Sequence, residues 1–295
     1  MNMLIVATTL GILGLFFGSF AGAQVWRLRA KQLREDESAG EKVPERDKTQ
    51  VSKLKKSSAL QDRSVCLHCG HKLEWYDLVP LLSWIGLKGK CRYCHKHIGN
   101  FEPVIELAVG ILFAASYAFW PYPLESGFEI ARFVIWLVAI VGVAILTVYD
   151  AKWFLLPNRV VFPLIGVGAL YSFITLAEQQ FALSQLLNII YACLVLSGLY
   201  YLIYIASRHQ WVGFGDIKLG LALALLLADW QLALLALFAA NVIGTLVVLP
   251  MMIGGRIKKH ARVPFGPLLI SGWVVAGLFG GHIIDWYLGL ALGSY

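Results

Sequence analysis

The sequence predicts an all-α polytopic membrane protein of about eight transmembrane helices with one small module outside the membrane, and three observations carry that prediction. The 295 residues are 58% hydrophobic and only 15% charged, with a mean hydropathy of +0.68, far more apolar than a water-soluble domain. The charges leave long uncharged runs between them, several near the roughly 20 residues that a helix needs to cross a hydrocarbon core of about 30 Å. Four of the five cysteines are confined to one short polar stretch.

The first uncharged run is Met1–Trp26. It has no basic segment ahead of it and carries Arg27 and Arg29 behind it, the reverse of a secretory signal, so residues 1–26 read as a retained first helix. Residues 27–62 read as a charged cytoplasmic segment, either a flexible insertion or a fraying helical extension. From Lys31 to Asp62 they are dense in Glu, Lys, Asp, Ser and Gln and nearly free of aromatics, too polar to bury the surface that would order them. Residues 63–102 turn to cysteine, histidine, glycine and aromatic side chains and read as a small folded cytoplasmic module.

Residues 103–295 supply seven further helices as a membrane-embedded bundle. The runs are Leu107–Leu124, Phe133–Tyr149, Val160–Ala177, Gln179–Ser207, Leu219–Ala228, Trp230–Gly255 and Val263–Ile284. Ile217–Met252 contains one charge, Asp229. A single helix of that length would run about 54 Å at about 1.5 Å per residue, so two helices turning at Asp229-Trp230 fit better.

The net charge of +7 raises nucleic acid as a partner, and the placement of the charge excludes it. Sixteen of the 25 Lys and Arg lie between Val25 and Glu102; the others are Arg132, Lys152, Arg159, Arg208, Lys218, Arg256, Lys258, Lys259 and Arg262. With the Val25–Glu102 loop in the cytoplasm, alternation through eight helices puts all of them inside except Arg132, as the positive-inside rule requires. The basic residues therefore mark orientation in a lipid bilayer, with both termini outward. The opposite loops carry Glu125, Glu129, Glu178 and Asp229 and no Lys or Arg.

The cysteines fall as Cys66-Leu67-His68-Cys69 and Cys91-Arg92-Tyr93-Cys94, with 21 residues between the inner pair. Two such knuckles bring four thiolates tetrahedrally onto one zinc ion at close to zinc-ribbon spacing. Disulfides are the alternative, disfavoured in a reducing cytosol. Four thiolates leave no open coordination position, so the zinc is expected to be structural and to supply much of the module's folding energy. His68, His71, His95 and His97 read as surface or supporting groups, and Cys193 as a small buried residue.

Charges inside a bilayer are costly, which makes the remaining carboxylates informative. Outside the loops only Glu106, Asp150, Asp216 and Asp285 are left, and Asp285 falls near the outer end of the last run. Asp150 closes the third run in Tyr149-Asp150-Ala151-Lys152, and Asp216 opens the sixth in Gly213-Phe214-Gly215-Asp216-Ile217-Lys218. Topology brings both to the cytoplasmic face. Two close carboxylates in a low-dielectric site share a proton: the ionised one deprotonates a water that attacks a peptide carbonyl while the protonated one polarises the carbonyl oxygen. Gly213 and Gly215 allow an extended substrate to approach Asp216. The bland alternative pairs the aspartates with Lys152 and Lys218 as ordinary interfacial charges; two aspartates converging with a Gly-x-Gly-Asp motif favour the catalytic pair.

The sequence resembles the type IV prepilin peptidases over nearly its whole length. Ordered matches run through Gly18-Ser19-Phe20 with Arg27, Arg63-Ser64-Val65-Cys66 and the second knuckle, with Pro80-Leu81-Leu82-Ser83-Trp84 between the knuckles. They continue through Tyr149-Asp150 with Leu156-Pro157-Asn158, Gly213 to Leu219, and Pro264-Phe265-Gly266-Pro267. The resemblance implies an inner-membrane aspartyl protease that cuts the basic leader of type IV prepilins or type II secretion pseudopilins after a glycine. Asp150 and Asp216 would be catalytic, with Gly213, Gly215 and Lys218 at the substrate or its loop, and Glu106 either there or an interfacial charge. It also implies N-methylation of the new terminus from S-adenosylmethionine, an activity linked to the N-terminal region. Gly22 stands where the family motif carries asparagine, which removes a hydrogen-bonding side chain from that region.

Two other readings compete. Other Gly-x-Gly-Asp proteases, of the preflagellin-peptidase or presenilin-like type, are opposed by the cysteine module and the Pro-Phe-Gly-Pro segment. A proton-coupled transporter or assembly factor would often show inverted repeats, and none is evident in the sequence.

Overall fold

The computed structural model describes residues 3–41, the single positions 43, 48, 51 and 54, and residues 64–255 and 263–292. Of the charged segment expected over residues 27–62, the part through Ser38 continues the first helix, and most of 42–62 lies outside the described residues, as do Arg63, Arg256, Lys258, Lys259 and Arg262. Among the described residues seven helices are long and apolar enough to cross a membrane, and there are no strands. The chain divides into two compact units, Met1–Ala118 and Phe119–Tyr295.

In the first unit α1 (Met3–Ser38) packs along α3 (Phe101–Ala118). α1 continues as one helix through Trp26, where its apolar part ends, and buries Arg29, Ala30 and Leu33 beyond it. Glycine makes the α1–α3 contact possible. A Cβ on Gly18 would lie 2.6 Å from the Glu106 Cα and 2.9 Å from the Ile105 oxygen, and one on Gly14 would lie 2.8 Å from the Val109 oxygen. The two backbones therefore touch, as helices in lipid do where small residues line the contact. Gly18 of the Gly-Ser-Phe motif thus has a packing cause.

Between these helices lies the cysteine module, with a short 3₁₀ turn (Trp75–Asp77) and the single-turn α2 (Leu82–Gly86). Its two knuckles repeat one backbone design. In each, the first cysteine's N–H bonds five residues on, Cys66 to His71 O and Cys91 to Lys96 O, both at 2.9 Å. Each first carbonyl accepts from four residues on, Gly70 N–H at 2.8 Å and His95 N–H at 2.9 Å. That fourth residue is left-handed in both, with φ of 74° at Gly70 and 55° at His95, and one antiparallel bridge closes each turn, Val65 to Lys72 and Lys90 to His97.

The second unit holds α4 (Gly127–Trp153), α5 (Asn158–Glu178), α6 (Leu183–Cys193), a π-helical turn (Leu194–Gly198), α7 (Leu199–Ala206), α8 (Phe214–Leu227), α9 (Trp230–Ile253) and α10 (Gly266–Leu292). α6, the π turn and α7 run on as one span, Leu183–Ala206. The short sixth apolar run, now α8, is the core of this unit: Leu219, Ala222, Leu223 and Ala224 are fully buried, and Ile217, Leu226 and Leu227 nearly so. A helix apolar on every side is one that other helices enclose, so fourteen residues suffice for it.

The turn expected at Asp229-Trp230 is present. Ala228 ends α8 in the left-handed region, and the Asp229 carboxylate caps α9 by accepting from the N–H groups of Gln231 and Leu232 at 2.8 and 3.0 Å. Arg132, the one cation that the charge count leaves on the opposite side, is neutralised where it lies. Its guanidinium pairs with Glu178 at 2.9 Å and sits over the Tyr122 ring at 4.6 Å.

Candidate active site and metal centre

Asp150 lies one turn before the end of α4, where the left-handed Phe154 returns its N–H to the Asp150 carbonyl at 2.8 Å and stops the helix. Its side chain is buried, 6% exposed. Among the described residues its carboxylate receives one hydrogen bond, from α10: the Gly266 N–H donates to Oδ2 at 2.9 Å. A Cβ on Gly266 would stand 2.8 Å from that same oxygen. Glycine is required for Asp150 to reach the backbone there, which gives the Pro-Phe-Gly-Pro segment a physical reason.

Asp216 is the third residue of α8 and closes the helix start on itself. Its backbone N–H donates to Gly213 O at 3.1 Å, and its carboxylate accepts from the Gly213 N–H at 3.3 Å. The next glycine serves a different contact, since a Cβ on Gly215 would press within 3.1 Å of Leu156. Asp216 is half-buried, more open than Asp150.

The two carboxyl groups lie within electrostatic reach of each other, and neither forms an ion pair with a described residue. Lys218, the expected partner in the interfacial-charge alternative, instead bonds the Asn158 side chain and lies over the rings of Phe162 and Phe214 at 5.5 and 5.3 Å. Lys152 lies 5.8 Å over Trp153.

Glu106 belongs to the other unit. It is buried in α3, accepts the Leu81 N–H at 2.8 Å, and has the Ser19 hydroxyl as a second donor. Leu81 holds φ 57° and ψ −46°, a strained conformation for a leucine, and Glu106 anchors it. The carboxylate thus ties the Pro80–Trp84 stretch of the module to α3.

The thiols of Cys66, Cys69, Cys91 and Cys94 all lie within 4.8 Å of one another, with 4.0 Å between those of Cys66 and Cys94. Four sulfurs about 2.3 Å from one tetrahedral ion stand a little under 4 Å apart, so the set fits such an ion. Among the described residues no histidine joins the cluster. His68 meets the His97 carbonyl at 3.2 Å, His71 packs on Tyr93 at 3.6 Å, and His97 Nδ1 accepts the Gly99 N–H at 3.1 Å. Asp77 braces the second knuckle, accepting from Arg92 at 2.8 Å and Tyr93 at 3.1 Å. Burial alone would push its carboxyl up, but the bonds from Arg92, the Glu74 N–H and Tyr93 hold it below the usual carboxylate range.

A cavity of ≈ 210 Å³ opens between the module and the ends of α1 and α3, with Gly22, Trp26, Trp84 and Glu102 in its walls. Glu102 Oε1 accepts from Trp26 Nε1 at 3.2 Å, while Oε2 is buried and has no hydrogen-bond partner among the described residues.

Comparison with known proteins returns two family models: "Bacterial Peptidase A24 N-terminal domain" over residues 12–120 and "Type IV leader peptidase family" over residues 137–249. Among curated relatives, the prepilin leader peptidase/N-methyltransferase of Dichelobacter nodosus is 30% identical over 280 residues, 92% of this chain and 91% of its own length. Its namesake in Bacillus subtilis is 32% identical over 237 residues, 80% of this chain and 89% of its own. That of Stutzerimonas stutzeri is 29% identical over 95% of this chain and 93% of its own. No solved structure matches.

Proposed function

The chain belongs to the family of bacterial prepilin leader peptidase/N-methyltransferases, and from that membership we propose that it cleaves the basic leader of type IV prepilins or pseudopilins after a glycine, at the cytoplasmic face of the inner membrane, with Asp150 and Asp216 as the catalytic pair. The observation that carries this reading is the Asp150–Gly266 contact. The fold commits a glycine backbone to orienting a buried carboxylate that has no cation among the described residues to neutralise it, within electrostatic reach of a second, half-buried one. An ordinary interfacial charge needs neither.

The chemistry follows from a pair that shares one proton. The ionised carboxylate takes a proton from water as the water oxygen bonds to the scissile carbonyl carbon, and the protonated carboxyl donates to the carbonyl oxygen. Collapse of the tetrahedral species returns the carbonyl, breaks the C–N bond and delivers a proton to the leaving amine. The half-exposed Asp216 beside Gly213 supports entry of an extended peptide from that side, with Lys218 holding the Asn158 end of the neighbouring loop. Membrane lipid surrounds the seven long apolar helices. On this reading residues 103–295 act as the protease bundle, and Glu106 positions the module instead of touching substrate.

Zinc is the ion proposed for the four thiols, as a structural group that fixes the two knuckles. Metal analysis of the purified protein is expected to find about one zinc per chain, the capacity of one four-thiolate site. Stripping it with a strong chelator is expected to expose the module to protease between Ser64 and Asn100. A metal-free protein that resists proteolysis there would remove the zinc assignment.

The cavity beside Glu102 is the proposed site for S-adenosylmethionine. A buried carboxylate oxygen with no hydrogen-bond partner among the described residues, in a cavity that Trp26 and Trp84 also line, suits a sulfonium cation, and the bound group would supply an electrophilic methyl to the new terminal amine. Mass spectrometry of the mature pilin terminus after incubation of the prepilin with the full-length enzyme and S-adenosylmethionine tests the whole proposal. The expected product starts at the residue after the leader glycine and carries one added methyl group. An uncut pilin overturns the peptidase reading, and a cut but unmethylated one overturns the methyl-donor site alone.

A further inference from the structure

Tyr200 is 6% exposed, and its hydroxyl is buried without a hydrogen-bond partner among the described residues. A buried donor without an acceptor is costly, and phenylalanine would fill the same space without that cost. The Asn241 amide gives one N–H to the Leu237 carbonyl at 2.8 Å and turns its other N–H toward the phenol oxygen, an approach that can serve only the oxygen's lone pair. Among the described residues the phenolic hydrogen has no acceptor.

The π-helical turn explains how the residue comes to point where it does. Leu194–Gly198 precedes Tyr200 directly, and an i→i+5 turn inserts one extra residue, which rotates the succeeding helix by about 100° relative to an unbroken α-helix. The turn is seated on α8. A Cβ on Gly220 would fall 2.4 Å from the Leu196 oxygen, and Ser197 Oγ donates to the Ile217 carbonyl at 3.0 Å, one residue past Asp216.

From there the Tyr200 ring meets Phe265 edge-on, with centroids 5.3 Å apart. Phe265 is the residue before Gly266, whose N–H holds Asp150. Asp216 lies within electrostatic reach of the same phenol. The Tyr200 ring therefore touches the segment whose Gly266 holds Asp150, and its phenol lies within electrostatic reach of Asp216, on the helix that follows the π turn.

We propose that Tyr200 is a catalytic residue of the peptidase, its hydroxyl donating a hydrogen bond to the scissile carbonyl oxygen as negative charge develops there. This rests on Asp150 and Asp216 being the catalytic pair. A carbonyl oxygen has two lone pairs, one for the protonated aspartate and one for the tyrosine. As the water oxygen bonds to the carbonyl carbon, the C=O electron pair moves onto oxygen. The tyrosine keeps its proton throughout and bonds the oxygen most strongly at that stage. A fixed donor in a water-poor site favours the transition state over the ground state in this way.

The test uses the full-length enzyme in detergent with a prepilin substrate, comparing wild type, Tyr200→Phe and Asp216→Asn. Tyr200→Phe is expected to lower kcat about a hundredfold, as loss of one oxyanion donor does, with KM unchanged and Tm equal to or above wild type. Its affinity for a peptide carrying a tetrahedral phosphinate at the scissile position is expected to fall by the same factor as kcat/KM, while substrate affinity holds. A purely packing role would move neither ratio. Wild-type kcat in Tyr200→Phe beside an inactive Asp216→Asn overturns the tyrosine assignment and leaves the pair standing. Cleavage by Asp216→Asn brings down the pair itself. Should Tyr200→Phe lose stability, an unchanged ratio of phosphinate to substrate affinity would still overturn the proposal.

Discussion

Asp150→Asn and Asp216→Asn are each expected to lower prepilin cleavage by at least about 10⁴-fold, the scale on which essential catalytic side chains fail, without loss of the fold. Asparagine keeps the shape of aspartate and one carbonyl oxygen. The Gly266 N–H at residue 150 and the Gly213 N–H at residue 216 would therefore still find acceptors. Neither carboxylate has an ion-pair partner among the described residues, so neutralising it strands no cation, and Lys218 stays with Asn158. The amide can neither take the proton from water nor lend one to the carbonyl oxygen. Cleavage followed by gel shift, with Tm measured on the same samples, decides the matter. A folded variant that still cuts at a rate near wild type would mean the two aspartates are interfacial charges after all.

What the sequence made legible depended on charge. A carboxylate or ammonium in hydrocarbon is costly enough to leave a mark on composition, so the spans, the turn at Asp229 and the isolation of Asp150, Asp216 and Glu106 could be read from spacing alone. Cys66, Cys69, Cys91 and Cys94 were legible for a related reason, since a tetrahedral ion constrains ligand spacing. Contacts set by distant neighbours were not. Gly266 stood out only as a glycine between prolines, and nothing local says that its missing Cβ is filled by a carboxylate 116 positions away. Tyr200 is one of the chain's 12 tyrosines and sits in an apolar run, and the π turn that aims it has no residue code. The shortness of α8 was visible, but its place at the core of the second unit was not, because enclosure is a property of the packed helices.

Gly266→Ala is expected to reduce kcat by about 10²-fold or more, the scale on which small misplacements of reacting groups act. Alanine suits the first turn of α10 better than glycine does, and Gly266 has no left-handed φ to protect, so the helix itself has no reason to suffer. The added methyl, however, would stand 2.8 Å from Asp150 Oδ2 and 3.4 Å from its carboxyl carbon. The atom in the way is the carboxylate itself, which must swing off the Gly266 N–H and surrender its position relative to Asp216. Gly281→Ala on the same helix is the matched control, since nothing lies within 4 Å of its would-be Cβ, and its activity is expected to equal wild type. Because substrate binding is not the property disturbed, the loss in Gly266→Ala should appear in kcat with KM little changed. Full activity in Gly266→Ala, with Tm at the wild-type value, would show that catalysis tolerates Asp150 away from this backbone contact, and the geometric basis of the pair would then have to be sought elsewhere in the second unit.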